Sequence, residues 1–193
     1  TAPGKAGVAV IRVSGPEVAS AASVLCGSVP EPRFAGLRVL RDQEGERLDE
    51  ALVLYFPEGA SFTGEAVLEL QVHGSTAIIS AIFHTLGGVA GLRMAEPGEF
   101  TRRALANGRL DLTQVEALGD LLESETEAQR RQAQRVFSGS LGRKCADWRR
   151  ALLRALALIE VTIDFADEEV PDDVVPEVRD LLDCVITGLK AEM

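Results

Sequence analysis

The chain of 193 residues is 46% hydrophobic and 26% charged, with a formal net charge of −10 at pH 7, a composition typical of a globular protein. No apolar run approaches the roughly 20 residues that a membrane span needs, and so acidic a chain is a poor candidate for autonomous nucleic-acid binding, which usually needs a basic domain. The chain has three cysteines, which lie far apart in the sequence, and only two histidines. The cysteines lead us to expect a reducing compartment and no disulfide framework, and the small number of these ligand types leads us to expect no metal site.

The charge is distributed unevenly along the chain. Residues 101–160 carry 11 Lys and Arg against 8 Asp and Glu, whereas the segments on either side are acidic. A basic middle between acidic ends permits the binding of an anion there. Residue 1 is Thr, so we expect the natural start of the protein to lie upstream.

The first half of the chain alternates strand-like and helix-like segments. Short β-branched runs between glycines predict strands, and apolar residues at helical spacing predict helices. The predicted strands are 7–15, 48–57 and 65–74, the predicted helices are 16–27 and 75–88, and 91–98 is a strand or a loop. Helix punctuation places Pro16 in a first turn, Gly27 just past a helix end and Ser75 at an N-cap. The alternation predicts an α/β or α+β domain.

From Asp111 onward the pattern is helical throughout. Asp111 and Gln114 have the spacing of a capping box. Apolar residues from Phe137 to Ile163 recur every three or four positions, which predicts a long helical seam packed against another helix. Two glycines in residues 138–142 can kink it. Residues 164–173, with six acids and a proline, predict a loop, and another amphipathic helix begins at 175.

Cys145 and Trp148 lie on this seam, which favours a core position for both over a chemical role. No GxxxxGK[ST] phosphate loop and no GxSxG elbow occur in the sequence. His73 follows a predicted strand, and it could either polarise a ligand or satisfy nearby backbone groups.

Four charged residues are harder to assign to a solvated surface. Arg12 and Glu69 each interrupt an apolar strand, Arg109 follows the Asn-Gly turn at 107–108, and Glu99 falls in the first turn of a predicted helix. Strand alternation places Glu69 on the face opposite the neighbouring leucines. Arg12 and Glu69 could form an internal ion pair. Alternatively, Glu69, Arg12 and Arg109 face one pocket, where a carboxylate accepts hydrogen bonds from an amino-heterocycle and arginines grip carboxylates.

Several blocks of the sequence, found in order, closely resemble the N-terminal part of the MnmE (TrmE) family of tRNA-modification GTPases. The resemblance spans nearly the whole chain, and it rests on GVAVIRVSG, SFTGEAVLELQVHGS, GLRMAEPGEFTRRALANGRLDLTQVEALGDLL, ETEAQRRQA and IDFADEE. It implies an α+β domain at residues 1–110, with a mixed sheet and helices similar to folate-binding aminomethyltransferase domains. An all-α segment at 111–193, the first part of a helical domain, would follow.

The resemblance also implies a function. The first domain would bind a tetrahydrofolate, as the 5-formyl or methylene derivative, and form a homodimer. With the FAD protein MnmG (GidA), the full-length family protein installs a carboxymethylaminomethyl or aminomethyl group on carbon 5 of the tRNA wobble uridine, and the folate gives the one-carbon unit. A cytoplasmic location follows, or a mitochondrial one for a eukaryotic source. GTP, magnesium and potassium would bind in a GTPase domain that this chain lacks, so we expect it neither to hydrolyse GTP nor to complete the modification.

By position in the motifs, the folate-contacting residues of the family fall on Arg12, Glu69 and Arg109. The family usually has Lys at position 109, which keeps the charge and changes the geometry. We expect Arg102 and Arg103 to pair with nearby acids at the surface or between domains, while the Asn-Gly turn ends its helix and directs Arg109 to the folate. The alternative is a scaffold that dimerises or docks a partner without folate. We also expect high mobility in residues 164–193.

Overall fold

The computed structural model describes residues 4–164 and 174–192. The chain divides into two compact units, Thr1–Leu110 and Asp111–Met193. The first holds a sheet with helices and the second is helical. The predicted order, an α+β domain followed by an all-α segment, is therefore confirmed.

The sheet of the first unit has four strands: β1 at Ala6–Ser14, β2 at Gly36–Arg41, β3 at Arg47–Phe56 and β4 at Val67–Gly74. Their order is β1-β4-β3-β2, and each neighbouring pair is antiparallel, so the sheet is not the mixed one that the resemblance implied. Strand β2 is absent from the predicted elements, because its GLRVLR lacks a clean alternation of apolar and polar residues. Burial of Leu40 still ties this edge strand to the core.

Two helices cover one face of the sheet. They are α1 at Val18–Cys26 and α2 at Thr76–Gly87, and their apolar residues join those of the strands in one core. Gly27 lies just past the end of α1 as predicted, and it caps the helix in the left-handed conformation. Pro16 precedes the helix instead of entering its first turn. Ser75 holds the N-cap position of α2, but its side chain makes no capping hydrogen bond.

The two faces of β4 differ in the way that the alternation predicts. Leu68 and Leu70 are fully buried against the helices, while Glu69 and Gln71 lie half-buried on the opposite, outer face. Where β4 ends, Gly74 lies so close to β1 that a Cβ placed there would be 2.4 Å from the carbonyl oxygen of Ala6. The pairing of these strands therefore requires glycine at position 74.

The last helix of the first unit is α3 at Glu99–Ala106, and the residues before it form a loop rather than a strand. Its end is a Schellman motif: Gly108 is left-handed at φ 65° and donates to the carbonyl of Leu105, and Arg109 donates to that of Ala104. The Asn-Gly turn therefore ends the helix in a left-handed cap, as predicted.

The second unit consists of α4 at Leu112–Glu123, α5 at Glu127–Phe137, α6 at Ser140–Asp164 and α7 at Val175–Glu192. The predicted capping box of Asp111 and Gln114 starts α4. A second box, Thr126 with Gln129, starts α5 and is not among the predicted features. A left-handed glycine, Gly139 at φ 78°, stands between α5 and α6. The predicted seam is therefore interrupted near its start, where its glycines predict a kink: Phe137 lies on α5 and the seam from Leu141 onward lies on α6.

The seam itself is more exposed than the pattern predicts. Cys145 is exposed, and Leu152 and Leu156 are 45% and 50% exposed, so the prediction of a core Cys145 is wrong. Trp148 is half-buried, and a Cβ added at Gly188 of α7 would lie 2.7 Å from its indole nitrogen. Helical spacing identifies an apolar face, but it does not say how much of that face a partner covers.

The packing of α7 against α6 bears on the expected mobility of residues 164–193. Arg154 of α6 donates to Glu177 of α7 at 3.0 Å. A helix packed within its own chain counts against that expectation for residues 175–192, while most of the predicted loop at 164–173 lies outside the described residues. None of the helices in the described ranges is long and apolar enough to span a bilayer.

Candidate functional site

Arg12 and Glu69 form an ion pair on the outer face of the sheet. They are cross-strand neighbours in β1 and β4, and the Arg12 Nε lies 2.9 Å from a Glu69 carboxylate oxygen. The Arg12 side chain is 58% exposed and that of Glu69 is 17% exposed. The predicted pairing of the two residues is present, but at the surface and not in the interior.

The pair keeps hydrogen-bonding capacity for a ligand. Glu69 uses one oxygen for Arg12, and its other oxygen accepts a long hydrogen bond of 3.4 Å from the amide of Gln71. Arg12 uses only its Nε among the described residues, which leaves both terminal nitrogens for an external acceptor. Leu54 of β3 stands opposite Glu69 and is half-buried, so apolar surface adjoins the charges.

Arg109, the third predicted residue, stands apart from that pair. It follows the cap of α3, it is exposed, and it forms no ion pair with any residue in the described ranges. Its aliphatic stem lies against Gly64, since a Cβ at Gly64 would be 3.1 Å from its Cγ. The structure thus brings Arg12 and Glu69 together, and Arg109 contacts neither.

Glu99 is the centre of an arginine network, of which the sequence predicts only that Arg103 pairs with nearby acids. Its side chain is 4% exposed, and Arg93 grips both carboxylate oxygens at 2.9 and 2.7 Å. Arg103 donates to Glu99 at 2.8 Å and, through Nη1, to both oxygens of Glu65 at 3.0 Å. The hydrogen bonds from Arg93, from the Glu96 amide and from Arg103 hold the pKa of Glu99 well below its ordinary value.

The network explains two of the three clustered arginines. Arg103 joins α3 to the residues before β4, and Arg102 pairs with Glu96 at the surface at 3.0 Å. Both are partners of nearby acids within the first unit. The spacing of Glu99 and Arg103, four residues apart on one helix, is a signal that could have found this contact. Nothing local in the sequence points to Arg93 or Glu65.

A cavity of about 340 Å³ lies in the first unit between β1, the end of α2 and α3. Its wall includes Arg12, Arg93, Glu99 and apolar side chains such as Phe83. Glu69 and Arg109 are not in that wall. The cavity therefore does not gather the three predicted residues, and the candidate site is the outer face of the sheet around Arg12 and Glu69.

His73 has a structural partner. Its ring Nδ1 lies 2.8 Å from one oxygen of Asp49, and its backbone N–H donates to the other oxygen at 2.8 Å. Burial alone would raise the pKa of Asp49, but the hydrogen bonds from His73, together with one from the Glu50 backbone, outweigh burial and lower it. Of the two roles left open for His73, the observed bonds are those of a structural histidine.

Residues that could hold a metal do not cluster. Across residues 4–164 and 174–192 no group of three or more His, Cys, Asp and Glu side chains is placed to bind an ion. Burial raises the pKa of the Cys26 thiol to about 11, which keeps it protonated and a poor nucleophile.

The fold and the site define a class: an α+β domain with an exposed Arg–Glu pair on the outer face of its sheet, continued by a helical unit. Residues 1–109 match the family model described as the GTP-binding protein TrmE N-terminus, and residues 112–193 match the MnmE helical domain. The chain therefore belongs to the MnmE (TrmE) family, as its motifs indicated.

Individual relatives agree with the family models. The chain is 59% identical over 192 residues to the tRNA modification GTPase MnmE of Dinoroseobacter shibae, and 60% identical over 193 residues to that of Cereibacter sphaeroides. Each match covers 100% of this chain and 45% of the relative. The chain thus spans less than half the length of these relatives.

Proposed function

We propose that this chain is the folate-binding and dimerisation part of a tRNA-modifying GTPase. The ligand is a tetrahydrofolate derivative, 5-formyl- or methylene-tetrahydrofolate, held by Arg12, Glu69 and Arg109. The complete protein acts in the cytoplasm with the FAD protein MnmG on carbon 5 of the tRNA wobble uridine, where the folate gives the one-carbon unit. Support for this larger role comes from family membership and from the names of the relatives.

The observation that carries the folate proposal is the exposed pair of Arg12 and Glu69. A carboxylate on the open face of a sheet, engaged by one strong hydrogen bond, can accept hydrogen bonds from the amino group and ring N–H of a pterin. The half-buried Leu54 beside it offers an apolar surface to the flat ring. An ion pair that served only stability would gain little at such an exposed position.

The arginines would bind the polar and anionic edges of the ligand. Arg12 offers its terminal nitrogens next to Glu69, and Arg109 is a charge without an ion-pair partner in the described parts of the chain. Guanidinium groups bind carboxylates through paired hydrogen bonds, so the glutamate tail of the folate is the natural acceptor for at least one of them.

The chain itself is proposed to lack GTPase activity. It contains no GxxxxGK[ST] sequence, and the family models that it matches are those of the N-terminal and helical domains. GTP, magnesium and potassium would belong to another part of the complete protein.

Titration of the chain with 5-formyltetrahydrofolate in a calorimeter, with its mass measured by light scattering, tests this function. A dimer that binds the folate is the expected result. A dimer that releases no heat on titration would favour the alternative, a scaffold that dimerises or docks a partner without folate. A monomer that ignores folate would contradict both.

A further inference from the structure

The position of Arg109 depends on a neighbouring loop, residues 61–65, between β3 and β4. Gly64 in this loop is left-handed at φ 83°, and a Cβ there would lie 3.1 Å from the Arg109 Cγ and 3.4 Å from its Cδ. The backbone of the loop thus supports the aliphatic stem of Arg109. A side chain at position 64 would be strained by its own backbone and would push against that stem.

Asn107 ties the end of α3 to the same loop. Its side-chain amide donates to the carbonyl of Thr63 at 2.8 Å. A Cβ placed at Gly64 would lie 3.1 Å from the Asn107 Cβ, the same distance as from the Arg109 Cγ. Thr63 is fully buried, so the acceptor belongs to a residue packed within the domain. Only Gly108 stands between Asn107 and Arg109, and the Schellman motif fixes the backbone there.

The loop is in turn joined to the strand that carries Arg12. The hydroxyl oxygens of Thr63 and Ser14 lie 2.7 Å apart, and the Ser14 hydroxyl also donates to the carboxylate of Glu65 at 3.1 Å. Ser14 follows Arg12 by two residues on β1, so both side chains lie on the same face of the strand. A continuous set of contacts therefore runs from the strand of Arg12 to the helix end that presents Arg109.

We propose that Asn107 and Gly64 are positioning residues for ligand binding by Arg109. They touch no ligand themselves. They fix the guanidinium of Arg109 relative to Arg12 and Glu69, which lie on a different element of the domain. This inference rests on the proposed folate function. It adds the reason why Arg109, on a different element, can serve the same site as Arg12 and Glu69: the 61–65 loop fixes the end of α3 relative to β1.

A double-mutant cycle tests the inference on the full chain with 5-formyltetrahydrofolate. Asn107→Ala should weaken binding about tenfold, within the range of coupling between residues in contact. In an Arg109→Ala background the same change should weaken binding by less than about twofold, since the group that Asn107 positions is gone. Arg102→Ala, on the exposed side of the same helix, is the matched control and should bind as wild type does.

The outcomes separate the two proposals. If Asn107→Ala costs the same factor with and without Arg109, its role is structural and the positioning inference is overturned, while folate binding stands. If the wild-type chain does not bind, both proposals fall. Gly64→Ala replaces Asn107→Ala if that variant does not fold, and the same dependence on Arg109 is expected of it.

Discussion

Glu69→Gln separates a ligand site from a structural ion pair. The substitution keeps the shape of the side chain and removes its charge. Because the Arg12 side chain is 58% exposed, water and salt screen the ion pair. Loss of the pair should therefore lower the free energy of unfolding by only about 0.2–1 kcal/mol. The burial of Leu68 and Leu70 on the other face of β4 is unaffected by the change.

The expected effect on folate affinity is much larger. A hydrogen bond to a charged group contributes about 1.5–3 kcal/mol, which corresponds to about a 10- to 150-fold change in the dissociation constant. The variant side chain would offer one neutral carbonyl oxygen where Glu69 offers a charged carboxylate. Its amide N–H groups would face the N–H groups of a pterin, and two donors cannot form a hydrogen bond with each other. Affinity should therefore fall at least tenfold while stability stays nearly unchanged.

Calorimetric titration with 5-formyltetrahydrofolate and urea unfolding of the same samples measure both quantities. Glu50→Gln is the matched control, since Glu50 lies on β3 in another exposed pair, 2.8 Å from Arg47. An affinity of Glu69→Gln within twofold of wild type would refute the reasoning, as would an equal loss in Glu50→Gln. A loss of several kcal/mol in stability would show that the pair is structural after all.

Two further predictions concern stability. Gly74→Ala should destabilise the chain by about 1–3 kcal/mol in urea unfolding, because the added Cβ would meet the backbone of the facing strand. Gly87→Ala is the control: Gly87 has open space around it, so this change should leave stability unchanged or raise it by up to about 1 kcal/mol. Equal effects of the two substitutions would contradict the close approach at Gly74. Glu99 has a lowered pKa in the fold, so its contribution is complete above its ordinary pKa of 4.5 and is lost as the pH falls below that value. Glu99→Gln should therefore be less stable than wild type at pH 7, and the difference should shrink in unfolding measurements towards pH 3; a difference independent of pH would exclude this cause.

Local patterns predict the parts of the fold that depend on neighbours in sequence. Strand alternation indicates the face of Glu69, and the spacing of Asp111 and Gln114 indicates the start of α4. In each case the deciding contact lies within a few residues of the signal. The pairing of Arg12 with Glu69 joins residues that are 57 positions apart. Two charges that each interrupt an apolar strand indicate it only as one of two possibilities.

Local sequence patterns do not predict contacts between distant segments or the degree to which a side chain is buried. Arg93 lies in an irregular loop, so no periodicity indicates that it grips Glu99. Gly74 has an ordinary sequence context, and its need for glycine arises from the approach of β1. Cys145 shares the helical spacing of a buried seam, but spacing cannot show whether a partner covers that seam. The three cases have one origin, since the environment of each residue is set by a segment that is distant in the sequence.

The stretch GEFTRRALANGRLDL places three arginines in an acidic chain, and the structure gives each a different environment. Arg102 is balanced by Glu96 at the surface, and Arg103 by Glu65 and Glu99. Two of the three charges are thus compensated within the domain. Arg109 alone of the three has no ion-pair partner in the described residues, although its backbone is fixed by a helix cap and its stem by the 61–65 loop. A charge that is held in place by a helix cap and a left-handed glycine, and left without a counter-ion, is better suited to bind an anionic ligand than to stabilise the fold.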